Sequence, residues 1–453
     1  MDFEIANVEF TKEELIDFLL DIDESEIEEA IENIHPVDVL NALKEIDEQT
    51  SQIILNKLPN EFIAMIIDED DDENRYDFLI KFSENRQKDI LSEMSSDEIA
   101  DFIGQLDTEE KEEVLAKLSI EDKIEVHDLL QYDPETAGGI MATEFISIRE
   151  NKTVYRTLEY LQIHAYDAEM AYYLYVIDKQ NHLKGVVGLR NIVASSFDTL
   201  ISEITNPNVV SINVNDDQEN VAHVFSKYGY VMLPVVDDDN VIKGVVTVDD
   251  VMDIIKEEST EDIHRLAGLD EEEKVDGSLL DSLKSRLPWL SINLFSALLA
   301  SSIVTHFSST IQMVVALAAI NPIIAGMGGN SGTQALTLMV RGIALGEINP
   351  KNAKKIFFKE LGVGLFSGII IGLLVGLGTH FFFGNFYLGL VAFLAMIGNM
   401  VVAVVAGYFV PLTLKKLNVD PALGSSIFVT TFTDCVGFFL FLSLATFFLP
   451  KLI

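Results

Sequence analysis

The sequence predicts a multidomain membrane protein. An all-α helical-repeat domain and a duplicated α/β domain form an acidic head, and a five-helix α transmembrane domain follows. Three observations predict this. The chain has 453 residues, 73 acids against 31 bases and a net charge of −42, yet it is 49% hydrophobic with mean hydropathy +0.26. A uniformly acidic soluble chain would not average out apolar, so acid and grease occupy different stretches. Residues 287–453 hold four acids and eight bases, for +4, which leaves −46 on residues 1–286. Finally, 175–193 and 234–252 align without gaps at seven identities in 19 pairs. The charge excludes nucleic-acid binding, which needs a basic footprint. The single Cys435 excludes a disulfide scaffold. MDFEIANVEF lacks the basic and apolar regions of a signal peptide.

Residues 1–130 read as helices throughout. Ile34-His35-Pro36, Leu58-Pro59, Met94-Ser95-Ser96 and Leu118-Ser119 each open an amphipathic helix, at spacings of 24, 36 and 24 residues. An acidic insertion, DEDDDENRYDFL, accounts for the longer interval. Stacked helical hairpins in a small superhelix explain the pattern. His35 before Pro36 reads as a helix-entry residue and not as a metal ligand.

Residues 131–200 and 201–262 carry the duplication. Each copy reads as a strand, a turn rich in Asp and Asn, a second strand at Lys-Gly-Val-Val and a helix. FISI at 145–148 answers VVSI at 209–212 upstream, each followed by a helical stretch. The arrangement resembles a tandem CBS pair, a regulatory module that often binds adenine nucleotides; a purely structural duplication is the alternative. Acids are densest where the second copy ends. Asp249, Asp250, Asp253, Glu257, Glu258, Glu261 and Asp262 recur at spacings of three and four that put several on one helix face. Such a run reads either as a solvated face or, just before the segment 278–287 that leads into the membrane, as a place where divalent cations bridge carboxylates and bias a gate.

Five apolar stretches, about 287–307, 311–341, 357–382, 386–414 and 422–449, are long enough to cross a bilayer core of roughly 30 Å. With the head inside, every membrane-half base except Lys451 falls on the cytoplasmic side, giving an N-in, C-out plasma-membrane protein. Gly364, Gly368, Gly372 and Gly376 read as a helix-packing stripe. Asp420-Pro421 reads as the N-cap and first residue of the fifth span. In the second span Asn321-Pro322 and Gly326–Gln334 read as an interruption whose carbonyls face a cation path, with a kinked packing helix as the alternative. Asp434, flanked by Thr430, Thr431, Thr433 and Gly437, is the acid placed deepest in any span, and no intramembrane Lys or Arg can pair with it. A carboxylate at that depth marks an ion pathway or is a protonated structural acid. The threonines and carbonyls suit a hard, hydrated cation such as Mg²⁺, and in a two-fold dimer two such carboxylates would face one another.

Along nearly its whole length the sequence resembles the bacterial MgtE magnesium channel family. The motifs are Tyr132-Asp133-Pro134-Glu135-Thr136-Ala137-Gly138-Gly139-Ile140-Met141, Thr260-Glu261-Asp262-Ile263-His264-Arg265-Leu266, Gly328-Gly329-Asn330-Ser331-Gly332-Thr333-Gln334, Val419-Asp420-Pro421-Ala422-Leu423 and Thr433-Asp434. The resemblance implies a homodimer in membrane lipid, each protomer with a helical N domain, a CBS pair, a connecting plug helix at 263–286 and five spans in 287–453. It implies a Mg²⁺-selective pore that closes when cytoplasmic Mg²⁺ is high. By position, Asp434 resembles the filter carboxylate, and Gly326, Gly329 and Gly437 resemble sources of pore-lining carbonyls. Asp97, Asp101, Glu219, Asp250, Asp253, Glu258, Glu261 and Asp262 resemble regulatory metal ligands. Family acids expected near Met65 and Gly229 are missing, with Glu61, Glu69 and Asp70 as neighbours, and Tyr230 stands where an aromatic could stack on the adenine of ATP.

A gated Mg²⁺ channel is the leading expectation, with a cation-coupled divalent-metal exchanger as the alternative. An intramembrane hydrolase would need paired His and Asp within the spans, whereas His306 and His380 lie at outer ends away from Asp434. An enzyme is therefore not expected. A non-transporting sensor leaves Asp434 and the second span unexplained.

Overall fold

Helix starts in the head follow from their caps. The computed structural model describes residues 10–23, 26–31, 34–70, 75–165, 168, 170–270, 273, 275 and 277–453 in two compact units, Met1–Met252 and Asp253–Ile453. In the first unit come α1 Lys12–Asp21, α2 Ile27–Ile31, α3 Pro36–Leu43, α4 Glu48–Lys57, α5 Asn60–Asp68, α6 Arg75–Leu79, α7 Glu84–Leu91, α8 Ser96–Gly104, α9 Thr108–Lys117 and α10 Ile120–Leu129. The four helix starts read from the sequence are those of α3, α5, α8 and α10. His35 is the N-cap of α3, its Nδ1 accepting from Val37 N at 3.4 Å. Capping boxes Thr11/Glu14, Ser95/Glu98, Asp107/Glu110 and Ser119/Asp122 start α1, α8, α9 and α10.

The scarce bases close helix ends. Lys57 donates to Ile22 O (2.9 Å) at the end of α1, Arg86 to Leu58 O (2.6 Å) after α4, and Arg75 to Asp68 O and Asp70 O (2.7 Å each) after α5. Each satisfies carbonyls that a helix terminus leaves without an intrahelical donor. Positions 71–74 of the acidic insertion lie outside the described residues.

The duplicated region contains β1 Ser147–Arg149, α11 Val154–His164, β2 Tyr173–Ile177, β3 Leu183–Gly188, α12 Leu189–Ala194 and α13 Ile201–Ile204, then β4 Ile212–Asn213, α14 Gln218–Tyr228, β5 Met232–Val236, β6 Ile242–Thr247 and α15 Val248–Ala267. Each copy forms a three-stranded sheet, parallel then antiparallel, with equivalent registers Tyr175↔Val186 and Pro234↔Val245. The identities between copies are largely turn and core chemistry. Asp178 accepts from Gln180 N and His182 N, Asp237 from Asp239 N and Val241 N, while Lys184 and Lys243 pair with them at 3.2 and 3.3 Å. Asn181 and Asn240 take left-handed φ of 67° and 61°, which asparagine tolerates. The two turns also meet, with Leu183 N donating to Asn240 O at 2.9 Å.

The second unit opens within α15. The helix read at 263–286 is divided: 263–267 finish α15, Gly268 turns at φ 74°, and α16 Leu279–His306 runs unbroken through Pro288. Then follow α17 Ser308–Met313, α18 Ala316–Ala344, α19 Ala353–Phe383, α20 Phe386–Lys416, α21 Ser425–Phe447 and α22 Leu449–Leu452. Among the described residues α16, α19, α20 and α21 are long and apolar enough to cross a membrane; α18 is long enough but more polar.

Two expectations are corrected. The second span is one continuous helix from Ala316 to Ala344, with no unwound stretch at Gly326–Gln334. Glycine costs a helix about 1 kcal/mol each, but a backbone group stripped of partners in hydrocarbon costs several, so the ladder persists. The fifth helix starts at Ser425, behind Gly424 at φ 59°, and not at Pro421. Asp420 caps a turn instead, accepting from Ala422 N at 2.8 Å.

The glycine stripe of α19 packs on α20. A β-carbon at Gly368 would lie 2.9 Å from Ile397 Cα, at Gly372 3.0 Å from Phe393 O, and at Gly376 2.8 Å from Gly389 O. Helix α20 also packs against α18 and α21, which makes it the buried centre of the membrane half.

Candidate ion path and acidic regulatory region

The glycines of α18 divide into two kinds according to what faces them. Side chains of Asn399 and Val429 occupy the space that β-carbons on Gly328 and Gly332 would need. Gly326 meets nothing within 4 Å, and Gly329 meets only Thr430 Cγ2, at 3.9 Å. Gly326 begins an exposed polar stripe that continues through Asn330, Thr333, Thr337 and Arg341 at helical spacing. Gly326, Asn330 and Thr333 fall within the Gly326–Gln334 stretch singled out in the sequence, whereas the continuation to Thr337 and Arg341 was missed; its signal was the 4-3-4-4 spacing of polar residues in an otherwise apolar helix.

Helix α21 supplies the carboxylate. Asp434 lies one turn beyond Thr430 and one turn before Gly437, half-buried. Gly437 is buried against Asn399, 2.7 Å from Nδ2 to the position of its missing β-carbon. Of the residues predicted for the path, Gly329 thus lies across from the Asp434 helix, Gly326 stands open on the same face of α18, and Gly437 is at a helix contact. Two buried polar residues were missed. Asn399 is 0% exposed and donates Nδ2 to Ile324 O at 2.8 Å. Glu360 is 5% exposed in α19 with Lys359 at 3.0 Å, so Asp434 is not the only acid enclosed by the spanning helices.

In the first unit the predicted ligands lie on separate helices, and Asp250 is the one whose charge reaches the helical domain, at Asp68. Asp97 and Asp101 lie on α8, and Asp250, in the first turn of α15, accepts from Thr247 N at 3.3 Å. Asp68, at the end of α5, is within hydrogen-bonding reach of Glu98. Its carboxyl is pushed up to about 6 by burial, against the pull of Arg75, with Glu69 and Asp250 adding repulsion. Asp68 and Glu98 were not singled out in the sequence; they belong to the same acidic neighbourhood. Glu144 anchors α8 from the CBS side, accepting from Ser96 N (3.0 Å) and Ser96 Oγ (2.9 Å) at the helix N-terminus. Glu219 lies in the first turn of α14, beside the Gln218 N to Glu135 O bond of 2.9 Å. Gly229 ends α14 at φ 66°, so a carboxylate there would be strained. Tyr230 follows, partly exposed, its ring 5.6 Å from that of Tyr228.

In the second unit Asp253, Glu258, Glu261 and Asp262 continue along α15. Arg265 pairs with both Glu261 and Asp420, and Ser426 Oγ donates to Leu266 O at 2.7 Å. Burial and the nearby Asp420 raise the Asp262 carboxyl, with Arg265 opposing. Two motifs 155 residues apart therefore form one ionic joint at the start of α21. Among the described residues no set of three or more His, Cys, Asp or Glu is close enough together to hold a metal.

Three family models match the chain: a divalent cation transporter domain at 321–444, an MgtE intracellular N domain at 34–135, and CBS domains at 137–198 and 201–257. A magnesium transporter MgtE of Enterococcus faecalis is 41% identical over 406 residues, 89% of each chain. One from Thermus thermophilus is 37% identical over 71% of each, and one from Bacillus subtilis 32% over 72%. The crystal structure of the soluble part of a magnesium transporter matches with TM-score 0.52 at 38% identity, covering 55% of this chain and all of that one. The cytosolic domain of the Mg²⁺ channel MgtE in complex with ATP matches with TM-score 0.50 at 34% identity, covering 54% of this chain and all of that one. At these identities and coverages, and with all three models matching along the chain, the chain belongs to the MgtE magnesium transporter family.

Proposed function

We propose that this protein is a Mg²⁺ channel of the plasma membrane, a homodimer that passes Mg²⁺ inward down its electrochemical gradient and closes when cytoplasmic Mg²⁺ occupies the acidic head. The observation that carries this reading is the open polar face of α18, packed against α21, the helix that bears Asp434. A stripe of Gly, Asn and Thr is unfavourable against lipid and favourable along a wet path. Asp434 supplies the negative charge, Gly326 and Gly329 a wall without side chains, and the threonines acceptors for a cation that keeps its water. With α18 as a crossing the spans number five, the N-terminus is cytoplasmic and the C-terminus extracytoplasmic. Asp97, Asp101, Glu219, Asp250, Asp253, Glu258, Glu261 and Asp262 form the regulatory ligand set, the 263–286 stretch relays their occupancy to α21 as a plug, and ATP binds the CBS pair with Tyr230 on its adenine.

Purified protein in liposomes should carry a Mg²⁺ flux that Asp434→Ala lowers by more than about tenfold. Undiminished selective flux in that variant would sink the pore assignment. The buried Glu360 gives the cation-coupled exchanger a second acid of the kind coupling needs. The same vesicles decide between the two: an imposed proton or Na⁺ gradient should leave the initial Mg²⁺ flux of a channel unchanged at fixed voltage, whereas an exchanger would follow it and lose the dependence in Glu360→Gln.

A further inference from the structure

Asn399 of α20 sits where three helices of the membrane half interlock through missing side chains. Its amide occupies the space a β-carbon would need on both Gly328 of α18 and Gly437 of α21; at Gly437 the hypothetical carbon lies 2.7 Å from Nδ2 and 2.8 Å from Oδ1. The Nδ2 donates to Ile324 O at 2.8 Å, which fixes the amide orientation, since the opposite one would set two acceptors together. Ile324 O already belongs to the α18 ladder, so this bond is not needed to satisfy that carbonyl. The Oδ1 is buried and finds no donor among the described residues. A wholly enclosed amide with one unpaired atom is a poor choice for packing alone, because an apolar side chain of similar volume would fill the space without that loss.

What Asn399 does hold is a distance. Gly328 is buried against Asn399 and is followed in sequence by Gly329, which borders the open face of α18, and Gly437 is one turn from Asp434 on α21. A bulkier, smaller or differently bonded side chain at 399 would alter how far the Gly326/Gly329 rung stands from the Asp434 carboxylate. Mg²⁺ demands near-octahedral coordination and keeps its water, whereas Ca²⁺ accepts variable geometry and sheds water readily. A filter of fixed width favours the first ion, and a loosened one admits the second.

We propose that Asn399 is a positioning residue that sets the width of the Mg²⁺ path between α18 and α21 and thereby its discrimination against Ca²⁺. The inference rests on the transport reading above. It is tested with full-length protein in liposomes carrying Mg²⁺- and Ca²⁺-sensitive dyes. Asn399→Ala should lower the Mg²⁺:Ca²⁺ flux ratio about tenfold while Mg²⁺ flux itself changes by less than about threefold. Gly437→Ala should suppress Mg²⁺ flux about tenfold by forcing a β-carbon into the amide, and Gly437→Ala with Asn399→Ala should regain the flux of Asn399→Ala alone. Where the single alanine variant is not recovered as monodisperse protein, Asn399→Ser is read the same way. A wild-type ion ratio in the Asn399 variant, or a double variant no better than Gly437→Ala, overturns the inference while leaving transport standing. A wild-type protein that passes no Mg²⁺ overturns the transport reading and this inference with it.

Discussion

Gly229 occupies a position where the family resemblance leads one to expect a carboxylate, and its backbone explains the difference. At φ 66° it closes α14 by donating to Phe225 O at 2.7 Å, a left-handed cap in which a β-carbon is strained. Its would-be β-carbon meets no neighbour, so the obstacle is conformational and not steric crowding. Gly229→Asp should therefore cost about 1 kcal/mol and lower the thermal midpoint in Mg²⁺-free buffer by a few degrees. Asn, which tolerates the left-handed region in the way Asn181 and Asn240 do here, should cost no more than Asp. An unchanged midpoint in both variants would mean that the cap relaxes. Other residues of the site were legible only in part for a related reason. The depth of Asp434 and the lack of a cation to pair with it can be read along one chain. That Gly328 serves packing while its neighbour Gly329 stays open depends on Asn399, 71 positions away on another helix, and no local pattern records the pairing.

Among elements, α18 and α19 use glycine at similar density for opposite ends. In α19 the four-residue repeat was readable as a packing stripe because a single face is involved, and the structure adds only its partner, α20. In α18 glycine and proline looked like an interruption because helix propensity is a local quantity, while the cost of exposed peptide groups in hydrocarbon is set by the surroundings. Helix starts in the head were legible because caps lie within four residues of what they cap; the start of α21 was missed because Asp420 answers Arg265 from a distant motif. The α19–α20 contact gives an element-scale prediction. Gly368→Leu places a branched side chain where even a β-carbon would sit 2.9 Å from Ile397 Cα. It should destabilise the membrane half by about 1–3 kcal/mol, read as a lower midpoint for loss of monodisperse protein on heating in detergent. Gly362→Leu on the same helix, where nothing lies within 4 Å, should not. Equal losses would mean that the stripe is not the packing face.

For the whole molecule the governing fact is a −46 head attached to a +4 membrane half. Several of the head's few bases are spent on helix ends, as Lys57, Arg75 and Arg86 are, and only Arg75 of these also pulls on a carboxylate near Asp250, that of Asp68. Much of the repulsion is left for counterions, which leaves two accounts of the acidic run on α15: a solvated face that any salt screens, or specific sites for Mg²⁺. They differ in how stability depends on ions. A site with bound ion at a hundredfold excess over its dissociation constant adds about 2.7 kcal/mol, whereas a diffuse face responds to ionic strength alone, with a screening length of about 10 Å at 0.1 M and about 3 Å at 1 M. In 1 M monovalent salt, added Mg²⁺ should therefore still raise the thermal midpoint of the wild-type protein. The combined variant Asp250→Asn, Asp253→Asn, Glu258→Gln, Asp262→Asn should lose that increment, gain stability in Mg²⁺-free buffer because like charges are gone, and keep conducting in liposomes at a cytoplasmic-side Mg²⁺ concentration that closes the wild type. If the increment disappears at high salt in the wild type, or the variant still closes at the wild-type concentration, those four carboxylates hold no Mg²⁺ and the sensor lies elsewhere.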